Sequence, residues 1–205
     1  MLGSAGAQLF GALGAAAIIF GSVVALQQQR LKLLIAYSTV AQIGYLFLIF
    51  PLALDASAQL QGSGALTGGI VQAISHATAK AAMFMAAGLI YAALGHDRIA
   101  ELGGVARALP MTIFAFALGG VSLIGLPPSG GFLAKWILLQ ATVATGQWWW
   151  ALVILAGGLF TSAYMFIVLS RAVAPSIEPL KLQTTVPKYQ EAAALALALT
   201  SLLLG

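Results

Sequence analysis

The chain has 205 residues, 61% of them hydrophobic and only 7% charged, with a mean hydropathy of +1.00. A water-soluble domain carries about 25% charged residues, so this composition excludes one and describes an integral, multi-pass membrane protein. The net charge of +4 rests mostly on basic residues at the ends of apolar runs, where they set orientation, so nucleic acid is not an expected partner. The absence of cysteine removes disulfides, thiolate zinc sites and cysteine-ligated iron–sulfur clusters from this chain. No cofactor or metal of its own is expected, and redox chemistry nearby belongs to partners.

At about 20 apolar residues per crossing, spans are predicted near 5–26, 33–54, 66–94, 110–145, 147–170 and 189–205, six crossings in an all-α bundle. The first run has no basic residue before it, the next being Arg30, so it reads as a retained helix and not as a cleaved signal peptide. Arg30 and Lys32 follow Gln27-Gln28-Gln29 and read as positive-inside residues, with Lys32 also a candidate for a proton entrance. The second span carries Tyr37, Ser38, Thr39, Gln42 and Tyr45, with Ser38, Gln42 and Tyr45 near one face. They suit a water chain or plain interhelical hydrogen bonding.

The third span holds Gln72, His76 and Lys80 at i, i+4 and i+8, one polar stripe on an apolar helix, with Ser75 and Thr78 on flanking faces. A lysine at the bilayer centre costs roughly 2.5–3.5 kcal/mol, and no acidic residue lies at predicted midspan among Asp55, Asp97, Glu101, Glu178 and Glu191. Desolvation disfavours a charged amine and histidine titrates near neutrality, so Lys80 and His76 can exchange a proton directly or through one water. The alternative is a static contact with a partner carboxylate or a backbone carbonyl.

The fourth stretch, 110–145, is too long for one straight helix, and its second part, 132–145, spans only about 21 Å. Between the parts lies Leu126-Pro127-Pro128-Ser129-Gly130-Gly131, where Pro127 and Pro128 remove donors and Gly130 and Gly131 permit unusual dihedrals. This predicts a discontinuous helix, and such backbone is tolerated only where it is buried in protein or lines a water-filled cavity. Counting the stretch as one crossing puts Arg30, Lys32, Arg98, Arg107, Arg171, Lys181 and Lys188 on one side and the loop 55–65, with Asp55, on the other. The N-terminus of the chain then lies on the non-cytoplasmic face. Lys135 is expected in the first turn of the second half-helix, where the dipole disfavours a cation; a lysine snorkelling to the surface is the alternative. Trp148-Trp149-Trp150 reads as an interfacial anchor, with a quinone or lipid contact as the lesser reading. Small residues such as Gly11, Gly14, Gly157 and Gly158 suit close helix packing.

Leu31-Lys32-Leu33-Leu34-Ile35-Ala36-Tyr37-Ser38-Thr39-Val40-Ala41-Gln42-Ile43-Gly44-Tyr45 resembles a signature of the antiporter-like subunits of proton-pumping NADH–quinone oxidoreductases, multisubunit Na+/H+ antiporters and membrane-bound hydrogenases. The runs His76 to Phe84, Gly103 to Pro110 and Gly125 to Trp136 resemble three further signatures in the family's order. The resemblance implies two inverted five-helix repeats, each with one discontinuous helix, joined by a hydrated charged axis. This chain is similar to the second repeat, about 5–170, plus one following helix, about 189–205, in a single transmembrane domain. By position, Lys80 and His76 correspond to midspan relay residues and Lys135 to the group at the discontinuous helix. Lys135 is a glutamate in some branches, and Gln72 stands where some relatives carry a second, titratable histidine.

The expected function is a proton-translocating subunit of a redox-driven pump or a cation/proton antiporter, carrying protons and, in an antiporter, sodium, in a bacterial plasma membrane. Expected partners are lipid and other membrane subunits, including one that supplies the first repeat unless the chain is a fragment. The rival is a non-transporting scaffold, to which the missing first repeat points. A quinone-binding catalytic subunit is disfavoured, because His76 and His96 lie too far apart to ligate one haem.

Overall fold

A computed structural model describes residues 4–54, 64–176 and 182–205. Asp55 and Lys181, which entered the comparison of loop charge, and Glu178, one of the acids placed away from midspan, lie outside the described residues. Helix α1 (Ser4–Leu26) has no charged residue and packs closely on α2 (Leu31–Phe47), because a Cβ at Gly14 would meet the Gly44 carbonyl and one at Gly21 would meet the Ala41 amide. The second span is interrupted at Leu48 and resumes as α3 (Ile49–Ala53). Pro51 explains the interruption: it has no N–H to offer the carbonyl four residues back, and its ring clashes there.

Helix α4 (Ala65–Leu94) is the longest and runs through the middle of the bundle. A short 3₁₀ turn (Ile99–Glu101) and α5 (Val105–Ala108) lead into α6 (Pro110–Ile124) and α7 (Gly130–Ala144). Each of the last two has 15 residues, roughly 22 Å at 1.5 Å per residue, short of a 30 Å hydrocarbon core. Positions along α4 show that they form one crossing in series. Gly119 of α6 lies against Ala79 and Met83, Gly130 of α7 against Ser75, and Gly68 against Ile137 and Leu138. Moving forward from α6 to α7 moves steadily backward along α4, so the chain continues in one direction past the break.

The break differs from its sequence reading in one respect. Gly130 and Gly131 are the first two residues of α7, not part of the irregular segment. Their missing side chains serve close approach: a Cβ at Gly131 would fall on the Ser122 carbonyl, and one at Gly130 would press on Ser75 and Leu204. The unusual dihedral belongs to Gly125, with φ +86° at the end of α6. Pro127 and Pro128 are joined by a cis peptide bond within the irregular segment. Ser129 caps α7, its Oγ accepting from the Phe132 amide at 3.1 Å.

Helix α8 (Trp148–Val173) returns across the bundle, and α9 (Lys188–Leu203) lies along α4 and α6. Helix α9 spans roughly 24 Å from its 16 residues, and Gly205 beyond it sits against Ser129. The tryptophan triplet divides: Trp148 and Trp149 are exposed, but Trp150 is buried against Gly11, its Nε1 donating to Gln147 Oε1 at 3.2 Å. Only the first two can anchor at a membrane surface.

The two ends of the bundle are distinct. At one, Gln8 and Gln147 are hydrogen-bonded and Gln147 reaches the Pro51 carbonyl. At the other, residues 29–31 pair with 97–99, Gly104 bonds to Ala174 and Gln183 to Ala93. Arg30, Lys32, Arg98, Arg107, Arg171 and Lys188 gather at this second end, as the single-crossing count requires. Helix α1, α2 with α3, α4 and α8 are each long and apolar enough to cross a membrane.

Candidate functional site

Lys80 stands at the middle of α4, 6% exposed, and its Nζ donates to the Ile35 carbonyl at 2.6 Å and to Ser38 Oγ. Ser38 in turn donates to Ile35 O at 2.9 Å. The Tyr164 hydroxyl lies beside Ser38 and Gln42 and is hydrogen-bonded to Thr161 Oγ1 at 3.1 Å. Gln42 Nε2 sits 3.4 Å from Thr161 Oγ1 and donates to the Leu123 carbonyl at 3.2 Å, while its Oε1 accepts from Gln72 at 2.9 Å. That same Leu123 carbonyl accepts from Lys135 Nζ at 2.6 Å, and Ile124 O accepts at 2.9 Å. Polar atoms thus link Lys80 to Lys135 across α4, α2, α8 and α6 without leaving the buried interior.

Lys135 is six residues into α7, beyond the first turn expected for it, because α7 begins at Gly130. Its side chain folds back to the last carbonyls of α6, the end where a helix dipole favours a cation. The dipole expectation is therefore reversed. Burial to 6% exposure also removes the surface-snorkelling alternative. Nζ lies 4.8 Å from the centre of the Tyr45 ring, a cation–π placement, and the Tyr45 hydroxyl donates to Ile154 O at 3.3 Å. Neither lysine forms an ion pair among the described residues; carbonyls, hydroxyls and an aromatic face take the place of a carboxylate.

The predicted stripe survives unevenly. Gln72 is buried and bonded, whereas His76 is half-buried, within electrostatic range of both lysines, with a buried Nδ1 that has no protein partner. Ser75, expected on a flanking face, is buried and shares a 2.9 Å hydrogen bond with Ser122 of α6. Thr78 bonds back to its own helix. Lys32 stands apart at the start of α2, its Nζ 4.2 Å above the Tyr91 ring. Thr161, Tyr164 and Ser122 went unnoticed in the sequence, since an isolated hydroxyl in an apolar helix carries no pattern.

The buried acids cap helices. Asp97 accepts from the Lys32 amide at 3.2 Å at the start of α2, and Glu191 accepts from the Thr112 amide at 3.2 Å and Thr112 Oγ1 at 2.9 Å in the first turn of α6. Neither α2 nor α6 has a side-chain cap from its own N-cap residue, Arg30 or Leu109. Carboxylates brought by other segments satisfy amides there and complement the dipole.

Residues 2–161 match the family model described as NADH:quinone oxidoreductase/Mrp antiporter, TM. The chain belongs to this family. It is similar to NADH-quinone oxidoreductase subunit N of Desulforudis audaxviator, 36% identical over 165 residues, which are 80% of this chain and 31% of that protein. F(420)H(2) dehydrogenase subunit M of Methanosarcina mazei is 37% identical over 134 residues, 65% of this chain and 26% of that protein. The chain thus spans about a third or less of the length of these curated relatives. In fold it resembles a chain of the Mrp complex from Dietzia sp. DQ12-45-1b, with a TM-score of 0.85 and 24% identity over 98% of this chain and 44% of that one. A chain of respiratory complex I from Thermus thermophilus superposes with a TM-score of 0.81 at 20% identity, covering 97% of this chain and 40% of that one.

Proposed function

We propose that this antiporter-like membrane chain moves protons, as the second-repeat portion (about 5–170, with the helix at 189–205 following) of a subunit in a redox-driven pump of the NADH–quinone oxidoreductase type or in a cation/proton antiporter. The observation that carries the reading is the continuous polar line between two buried lysines with no paired acid among the described residues. A static core has no use for two such cations, each costing roughly 2.5–3.5 kcal/mol in a membrane. A relay does, because each amine can be loaded and unloaded.

The geometry suggests how a proton moves. A proton on Lys80 is held by Ile35 O and Ser38 Oγ. The hydroxyls of Ser38, Tyr164 and Thr161 can each accept one proton while giving up another, which carries charge along α8 toward Gln42. An amide does not titrate, so Gln42 positions the line, and its Leu123 contact aligns it with Lys135. The unpartnered Nδ1 of His76 offers a place for a bridging water on the other side. Charging one lysine raises the cost of charging the next group, so loading at one end drives release at the other.

The partners are membrane subunits that complete the path, including the one supplying the first repeat or the rest of a longer polypeptide. The setting is the plasma membrane of a bacterium, with protons as the carried ion and sodium as the exchanged ion where the assembly is an antiporter. The test is Lys80→Met in the full-length subunit within its complex, reconstituted into vesicles with a pH-sensitive dye. Proton uptake is expected to be lost while the complex assembles in normal amount. Wild-type uptake by the assembled variant would overturn the relay.

A further inference from the structure

The basic end of the bundle holds an open cavity of about 800 Å³ between the α1–α2 loop, the segment after α4 and the end of α8. Arg30, Arg98 and Arg171 line it, with Glu101 as the one carboxylate among the described residues there. Arg30 and Arg98 oppose each other in an antiparallel pairing, framed by Leu31 N to Asp97 O and Ile99 N to Gln29 O at 2.8 Å each. This is the narrow, non-hydrogen-bonded kind of pair, with side chains set roughly 4.5–5.5 Å apart at Cβ, where like charges repel. Glu101 is already engaged, bonding Arg98 at 2.9 Å and lying 3.3 Å from His96 Nε2. Arg30 and Arg171 have no hydrogen-bond or ion-pair partner for their side chains among the described residues. Three guanidinium groups against one carboxylate leave an anion-shaped deficit.

Gln27, Gln28 and Gln29 of the α1–α2 loop continue the polar part of the wall, and the part toward the bilayer is apolar. Leu33 and Ile167, 45% and 41% exposed, line it from the outer faces of α2 and α8. They lie two and six residues from the ends of those helices, roughly 3–9 Å toward the bilayer core at 1.5 Å per residue. A ligand that fills both parts carries negative charge at the surface and hydrocarbon just below it.

We propose that this cavity is a binding site for an anionic phospholipid, its phosphodiester held by Arg30 and Arg171 and its acyl chains lying over Leu33 and Ile167. Planar guanidinium forks suit phosphate oxygens, and basic pockets at this side of membrane proteins accept anionic headgroups. A zwitterionic lipid brings its own cation into a site that already has an excess, so the site selects for net negative charge.

The experiment uses the full-length subunit in its complex, purified in mild detergent and stripped of lipid. Phosphatidylglycerol, phosphatidylcholine and inorganic phosphate are added separately, and bound lipid is read by native mass spectrometry alongside thermal stability. Retention of phosphatidylglycerol alone, a raised Tm, release by high salt, and a loss of affinity on the order of 30-fold in R30Q/R171Q are expected. The salt arm needs only the wild-type protein, so it holds even where the variant fails to assemble. Equal retention of phosphatidylcholine, unchanged binding by a well-assembled variant, or equal stabilisation by inorganic phosphate would each overturn the lipid assignment. So would a cross-link to a neighbouring subunit formed by the Leu33→Cys variant, which would put protein in the cavity.

Discussion

Lys80 and Lys135 are each solvated by main-chain carbonyls, and what joins them is a set of groups that are ordinary one at a time. Gln42 is the hub: it contacts Leu123 O, Thr161 and Gln72. Gln42→Leu keeps much of the volume but strands the Gln72 amide and leaves the Leu123 carbonyl with Lys135 as its one remaining side-chain donor. Loss of one bond's worth of barrier, about 1.4 kcal/mol, predicts a proton flux about tenfold lower at unchanged complex abundance, measured in the same vesicles. Unchanged flux would mean that the line runs through His76 instead. The stripe of Gln72, His76 and Lys80 was legible because helical periodicity displays it. Thr161 and Tyr164 were not, because only the packing of α8 on α2 brings their hydroxyls to Ser38 and Gln42.

Among elements, the interrupted α6–α7 pair depends on two supports. Glu191 on α9 holds the start of α6, so Glu191→Ala leaves the Thr112 amide and hydroxyl unsatisfied in a buried place. A loss of about 1–3 kcal/mol is expected, read as a lower midpoint of thermal unfolding in detergent, with Glu191→Gln less damaging because it still accepts. The second support is the contact of Gly131 with the Ser122 carbonyl. Gly131→Ala must push α7 away from α6, at a cost of about 1–3 kcal/mol. It also loosens the fold-back of Lys135. Gly88→Ala is the control, since nothing lies near its Cβ position and alanine favours helix. Comparable losses in the two variants would show that the break does not depend on this approach. Pro127 and Pro128 announced the break in the sequence, but which glycine takes the positive φ was settled only when Gly125 closed α6 and Gly130 opened α7.

For the whole molecule, the two ends of the bundle give a test of orientation. The chain has no cysteine, so single cysteines at positions 98 and 147 report on opposite faces without background. In sealed vesicles a membrane-impermeant maleimide is expected to label position 98 from the cytoplasmic side and position 147 from the other. Labelling of both from one side would break the single-crossing arrangement. Composition alone determined that the chain lives in a membrane, since apolar runs of this length cannot be hidden in a soluble fold, and the loop charges determined which ends lie together. The interior polar line was decided by tertiary structure. Whether a buried lysine faces a carboxylate, a carbonyl or an aromatic ring depends on which helix packs beside it. Lys135 meets the favourable end of the α6 dipole only because the break sets the first turns of α7 beside the last turn of α6.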